Sequence, residues 1–147
     1  MSDDPLTDAP RLDDPTPLAT LNSAGLTFLH ERHLATFTSL RPDGSPHVTP
    51  VGFSWDPEAD LARLITSRSS RKAAHAARGG PVVLCQVDGR RWVALEGSSR
   101  VSADPGNVAD AAARYALRYR VPRENPTRVV IEVSVRRMYG SAEFFTL

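Results

Sequence analysis

Three tight turns limit what this chain can fold into. Arg41-Pro42-Asp43-Gly44, Asp56-Pro57 and Asp88-Gly89 each separate two runs of alternating apolar and polar residues. Proline presets the backbone angle of a turn's second residue, and glycine adopts the positive φ that other residues avoid. Strands joined by so few residues run antiparallel, because a parallel neighbour needs a crossover of about a dozen residues or more. The pattern predicts six strands over residues 34–40, 46–55, 61–67, 82–87, 91–101 and 128–139. In the last, Val129, Ile131, Val133 and Val135 recur at every second position.

Three helices are predicted between them. One spans 23–32 with Ser23 as N-cap, and one spans 69–78 and stops at Gly79-Gly80-Pro81. The third spans 105–120, with Asp104 as cap and Pro105 at its first position. The order α-βββ-α-ββ-α-β implies a mainly β fold with peripheral helices, its antiparallel sheet curled into a barrel. Pro46 and Pro50 each remove a ladder donor from one strand, so that strand belongs at a sheet edge or against a ligand.

Charge divides the chain in two. Residues 1–20 hold five Asp, one Arg and four of the 12 prolines, for a net of −4. Such a segment buries too little apolar surface to offset its ordering entropy, and reads as a disordered tail. The whole chain carries +1, so residues 21–147, read as a single domain, carry +5. A basic body selects anionic small molecules as partners. The arginines are too scattered to favour a nucleic acid. No apolar run is long enough to span a membrane, and no secretory signal pattern is present, so a cytoplasmic location is expected. A single cysteine, Cys85, excludes an internal disulfide.

The segment Ser67-Arg68-Ser69-Ser70-Arg71-Lys72 joins a strand to a helix and places Arg71 and Lys72, the only lysine, in the first turn. Cations there oppose the helix dipole. A bound phosphate would reverse that penalty; a solvated basic helix end with capping serines fits the same spacing. His47, Thr49 and Val51 share one face of their strand, suited to a flat ligand or to a passage from core to solvent. Trp92 falls on a polar face, as interface or ligand residues do, and Gln86 lies in an apolar run and needs a partner. Arg114 and Arg118 form a like-charge i,i+4 pair that an anion between them would relieve. His30 and His33 lack a third ligand, so no metal site is expected, and no side chain is singled out as a general acid.

Read in order, several segments carry a family resemblance. They are His-Leu-Ala-Thr at 33–36, RPDGSPHVTPVGFSWDPE, ARLITS, SRKAAHA, CQVDGRRWVALEG, RYALRYRVPRENPTRVVIEV and the YGSA near the end. The chain resembles the split β-barrel flavin- and deazaflavin-binding proteins related to pyridoxamine 5′-phosphate oxidase, and among them the B-type reductases that use coenzyme F420. The resemblance implies a six-stranded split barrel, a homodimer, and a cofactor groove between protomers. Thr66, Ser67, Arg71 and Lys72 would then hold the cofactor's ribityl-phosphate arm, and His47, Thr49 and Val51 would line its ring. Gln86, Arg91, Trp92 and Val93 would complete the groove, supplied by the partner chain. It implies hydride transfer to biliverdin or a related tetrapyrrole, with Arg114 and Arg118 on the substrate's propionates. The chain lacks the family's Arg-x-His element near its end, which argues against vitamin B6 oxidation. FMN in place of F420, and ligand binding without turnover, stand as alternatives.

Overall fold

A computed structural model describes residues 20–146 of the chain. The tail expected over residues 1–20 lies, apart from Thr20, outside the described residues. The elements run β1 (Thr20–Leu21), α1 (Ser23–His30), β2 (Ala35–Leu40), β3 (Pro46–Val51), β4 (Ser54–Asp56), β5 (Leu61–Ser67), α2 (Arg71–Ala77), β6 (Pro81–Asp88), β7 (Arg91–Ser102), α3 (Pro105–Arg118), β8 (Arg128–Gly140), a 3-10 turn and β9 (Phe145–Thr146). All strand pairs are antiparallel, as the turns require. The turn residues act as their chemistry dictates: Gly44 takes φ 85° and Gly89 φ 62°.

The main sheet has seven strands in the order β3-β2-β6-β7-β8-β5-β4, where six were expected. The extra strand arises because the run 46–55 breaks at Gly52 and Phe53. Tyr119 of the loop after α3 lends its hydroxyl oxygen to the Phe53 N–H (3.2 Å), and Arg118 donates to the Phe53 carbonyl (2.6 Å). Helix side chains have taken both ladder groups at that point, so the strand changes partner there. β3 pairs with β2, and β4 pairs with β5.

That break also curls the sheet. Val51 and Ser54 lie on opposite edges of the strand order yet are separated by three residue steps, a span of at most ~11 Å. A flat seven-stranded sheet would hold its edges ~29 Å apart. The sheet therefore wraps round until its edges approach, and covalent chain rather than a hydrogen-bonded ladder bridges the seam. β3 is an edge strand, one of the two placements that Pro46 and Pro50 allowed.

Inside the wrap lie Phe28, Phe37, Phe53, Leu64, Leu84, Leu95, Ile131 and Val133. β8 buries Val129, Ile131, Val133 and Val135 as expected, but Val130 and Glu132 are buried as well, so both faces of this stretch are covered and the expected alternation is lost. The first helix is capped by Asn22 rather than Ser23: the Asn22 side chain accepts from the Gly25 N–H at 2.9 Å. α3 is capped by Asp104 as expected, and packs on β4, β5 and β8. No helix among the described residues is long and apolar enough to cross a membrane.

Candidate functional site

Where the β3–β4 junction, the end of β5, the start of α2 and the loop after α3 meet, they enclose a cleft of about 350 Å³. Val51 and Gly52 come from the junction, Thr66 and Ser67 from β5, and Lys72 from α2. Arg120, Arg123 and Asn125 come from the loop, and Arg128 from the first position of β8. Gly52 fixes this geometry. A Cβ there would stand 3.0 Å from ring carbons of both Tyr115 and Tyr119, so any larger residue would require the rings to shift. The two tyrosine rings pack together with centroids 4.8 Å apart, and the Tyr119 hydroxyl donates to the His33 carbonyl at 2.6 Å.

Hydrogen bonds lock the cleft floor. Ser70 caps α2 by accepting from the Ala73 N–H at 3.2 Å, and Thr66 Oγ1 donates to Ser70 Oγ at 3.1 Å. Asn125 Nδ2 donates to Ser67 Oγ at 3.0 Å, while Asn125 Oδ1 accepts from the Thr127 N–H. The Arg68 N–H donates to the Thr127 carbonyl, so the 120–127 loop is tied to the β5–α2 turn at two points.

The electrostatics are one-sided. Lys72, Arg120, Arg123 and Arg128 line the cleft, and no carboxylate does. Among the described residues none of these four cations has a carboxylate within 4.0 Å. Five arginines elsewhere among the described residues are matched to carboxylates, including Arg63 with Asp56, Arg100 with Glu132 and Arg137 with Glu96. Four unmatched cations beside two hydroxyl-bearing residues suit a polyanionic ligand such as a phosphate ester.

The expected site residues divide on the structure. Val51, Thr66, Ser67 and Lys72 gather in the cleft. Arg71 is exposed in the same first turn. His47 and Thr49 share the Val51 face of β3, with His47 edge-on to His75 of α2 at 5.0 Å. Burial comes first among the causes that push the His75 pKa below its ordinary value, followed by His47, Arg41, Arg78 and Arg71.

Others sit elsewhere, and several expectations need correction. Val93 is fully buried, so its side chain belongs to the core. Gln86 is also fully buried; it donates to the Phe28 carbonyl at 2.8 Å and accepts from Arg118. Arg118 is buried at 9% exposure and each of its three nitrogens bonds an internal acceptor, the Glu31 and Phe53 carbonyls and Gln86, so it is held inside rather than presented to a propionate. Arg114 is held by Asp110 at 3.0 Å and faces Asp56 at 3.5 Å. The like-charge penalty read from the helix is thus relieved from within: one arginine is buried among carbonyls and the other is matched to carboxylates.

Arg91 grips both oxygens of Glu31 at 3.0 and 3.1 Å and also bonds Asp88. That contact comes first among the causes holding the Glu31 carboxyl down to about 2. Glu31, His33 and Asp88 form a group of metal-ligating types that the sequence reading did not foresee, and Arg91 bonds both of its carboxylates. Trp92 stands on the outer sheet face against Tyr139, ring centroids 5.9 Å apart.

The sequence reading assigned no site role to Arg120, Arg123, Asn125 or Arg128. One signal was available: Pro122 and Pro126 bracket Arg123 and Asn125, and the loop leads straight into β8, which pairs with the strand that ends at Ser67. The register Ser67↔Arg128 brings the two ends together.

Comparison with known proteins places this geometry. A family model described as pyridoxamine 5′-phosphate oxidase matches residues 21–142. An F420H2-dependent biliverdin reductase of Mycobacterium tuberculosis (strain CDC 1551 / Oshkosh) is 55% identical over 123 residues, covering 84% of this chain and 90% of that protein. Among solved structures, a conserved hypothetical protein of Mycobacterium tuberculosis superposes with TM-score 0.68 at 21% identity, over 90% of this chain and 89% of that one. An F420 reductase superposes with TM-score 0.61, also at 21% identity, over 77% of this chain and 94% of that one. At that identity the superpositions establish the fold.

Proposed function

The chain belongs to the pyridoxamine 5′-phosphate oxidase family, and we propose that it is a coenzyme F420-dependent reductase whose acceptor is biliverdin or a related tetrapyrrole. The observation that carries this reading is the 55% identity, across 84% of the chain, to a reductase of that name. The cleft supports it on separate grounds. Its four cations without an internal carboxylate partner and its two hydroxyls fit the phosphate that such a cofactor carries.

In this reading Lys72 contacts the phosphate with Ser67 and Thr66 beside it, and Arg71 adds charge from the same turn. Arg120, Arg123 and Arg128 extend the anion contacts along the cleft. His47, Thr49 and Val51 present one face of an edge strand to the deazaflavin ring. When bound, reduced F420 supplies a hydride. The protein's part is to hold the ring and the acceptor in register and to keep the anionic arm fixed, which lowers the entropic barrier to transfer.

The active form in this reading is a cytoplasmic homodimer of split barrels. The outer faces of β3, β2, β6 and β7 expose Val48, Leu40, Val87 and Trp92, an apolar strip suited to a second copy. Arg91 and Trp92, which stand apart from this chain's own cleft, would then approach the partner's.

One titration tests the proposal. F420 and FMN are added separately to the purified apoprotein, and reduced F420 is then followed by its absorbance as biliverdin is supplied. The expected result is F420 binding and oxidation that depends on biliverdin. Tight FMN binding with no F420 affinity sinks the reading; F420 binding without turnover of any acceptor assigns a carrier instead.

A further inference from the structure

Asn125 reaches the cleft from a turn that its own sequence sets. Proline restricts the residue before it to extended backbone and suits the second position of a turn, and Pro126 follows Asn125. The Asn125 carbonyl closes the turn by accepting from the Arg128 N–H at 3.2 Å. The chain then enters β8 in the register Ser67↔Arg128, which carries the Asn125 side chain to Ser67.

The direction of the bond between them follows from chemistry. One end of a side-chain amide donates and the other accepts. The Thr127 backbone N–H can only donate, and it lies 3.0 Å from Oδ1, so that end of the amide must be the oxygen. The Thr127 hydroxyl donates to the same atom. Nδ2 therefore faces Ser67 and donates to its Oγ at 3.0 Å. An amide nitrogen offers no lone pair, so Ser67 cannot return the bond. Among the described residues Ser67 Oγ has no second partner, and its hydrogen is left for the cleft. Thr66 differs: its hydroxyl donates to Ser70 Oγ, so its hydrogen is already spent. Of the two aliphatic hydroxyls on the cleft wall, Ser67 is the one with a hydrogen to give.

We propose that Asn125 is a positioning residue of the cleft: by donating to Ser67 it keeps the Ser67 hydroxyl a donor, and so selects a ligand group that presents acceptors alone, an ionised phosphate ester, over one that carries its own proton. This rests on the reading of the cleft as an anion site. A ligand oxygen without hydrogen receives the Ser67 bond, and a charged acceptor makes that bond about twice as strong as a neutral one. Donation runs one way from Asn125 through Ser67 to the ligand, so each bond polarises the next. A protonated ligand oxygen could reach only the remaining Ser67 lone pair, and the Ser67 hydrogen would then go unanswered. Without Asn125 that hydrogen could turn to the vacated side, and the discrimination would fade. The four cations cannot supply this selectivity, because they respond to the charge of the ligand and not to where its hydrogen sits.

The test compares phenyl sulfate with phenyl phosphate at about pH 5, by calorimetric titration of the full chain. A phosphate monoester loses its second proton near pH 6, so at about pH 5 both anions carry roughly one charge and only the phosphate carries a proton. The parent should bind phenyl sulfate about tenfold more tightly. Asn125→Ala and Ser67→Ala should each narrow that ratio to about threefold or less, and the double variant should narrow it no further. Lys72→Ala should weaken both anions alike and keep the ratio, because it removes charge and leaves the Ser67 hydroxyl as it was. If Asn125 only tethers the loop, Asn125→Ala weakens both anions equally. That result overturns the proposal, as does a parent that binds the two alike. If neither anion binds the parent, or if binding ignores Lys72→Ala, the cleft is not an anion site and the proposal falls with it. A ratio that narrows as expected in a protein that does not bind F420 keeps Asn125 in this role and sinks only the reductase reading.

Discussion

Two regions of this molecule gather arginines beside polar side chains, and the protein treats them in opposite ways. One is the cleft, where Lys72, Arg120, Arg123 and Arg128 face open space without an internal counter-ion. The other is a knot behind α3, where Arg91, Glu31, Arg118, Gln86 and the Phe53 carbonyl satisfy one another. In the knot both guanidinium groups are tied to internal acceptors, and removing a member leaves a buried group unanswered. In the cleft, removing a member should cost the fold little and, in the reading proposed above, the ligand much. A charged cluster that closes on itself supports structure; one left open is available for binding.

The largest effect should come from breaking the knot. Arg118→Met strands the carbonyls of Glu31 and Phe53 and the Gln86 side chain, and should lower stability by about 3 kcal/mol or more in urea denaturation. A loss under about 1 kcal/mol would show that the knot does not hold the fold. Next is the wall that the two regions share. Gly52→Ala drives a methyl into the rings of Tyr115 and Tyr119 and should cost about 1–3 kcal/mol, read by the same denaturation series.

Lys72→Ala sharpens the contrast from the other side. It should weaken F420 binding by about tenfold, or roughly 1.4 kcal/mol, with an unchanged melting temperature. Fluorescence titration of the cofactor measures this, and an unchanged dissociation constant would remove Lys72 from the site. The response should be strongest at low salt, because exposed charges are screened as ionic strength rises.

The smallest effect is a pH dependence at α2. Burial and the surrounding cations hold the His75 pKa below its ordinary value near 6.5. The unfolded chain therefore takes up this proton first as pH falls, and stability drops below about pH 6.5 until the folded form is protonated too. Above that value His75 is neutral in both states and contributes no pH dependence. Melting temperatures at about pH 7.5 and 5.5 should show a smaller fall in His75→Gln than in the parent protein. Equal falls would place the titrating group elsewhere.

Much of this was legible before any coordinates. Turn chemistry and alternation located five of the six predicted strands within a residue or two, while the run 46–55 proved to be two strands, and two prolines narrowed one strand to an edge or a ligand-facing position. Asp104 and Pro105 marked the start of α3. The segment 66–72 pointed to the cleft, because strand-to-helix turns rich in hydroxyls and cations do so from local spacing alone. What escaped was non-local. Arg114 and Arg118 looked alike at i,i+4, yet one reaches two carboxylates while the other turns inward to carbonyls from three distant segments. The Asn125 tie to Ser67 spans 58 residues and leaves no trace in local pattern.

Sequence by itself determined that this protein would be an antiparallel sheet with a basic body, because turns, alternation and net charge act over a few residues or add without regard to arrangement. Only the tertiary structure decided which cations remain open. That choice depends on which carbonyl or carboxylate arrives opposite each guanidinium once the strand breaks at Gly52 and the sheet wraps. The net charge is a sum and survives any folding; its division between a closed knot and an open cleft is a matter of contact distance.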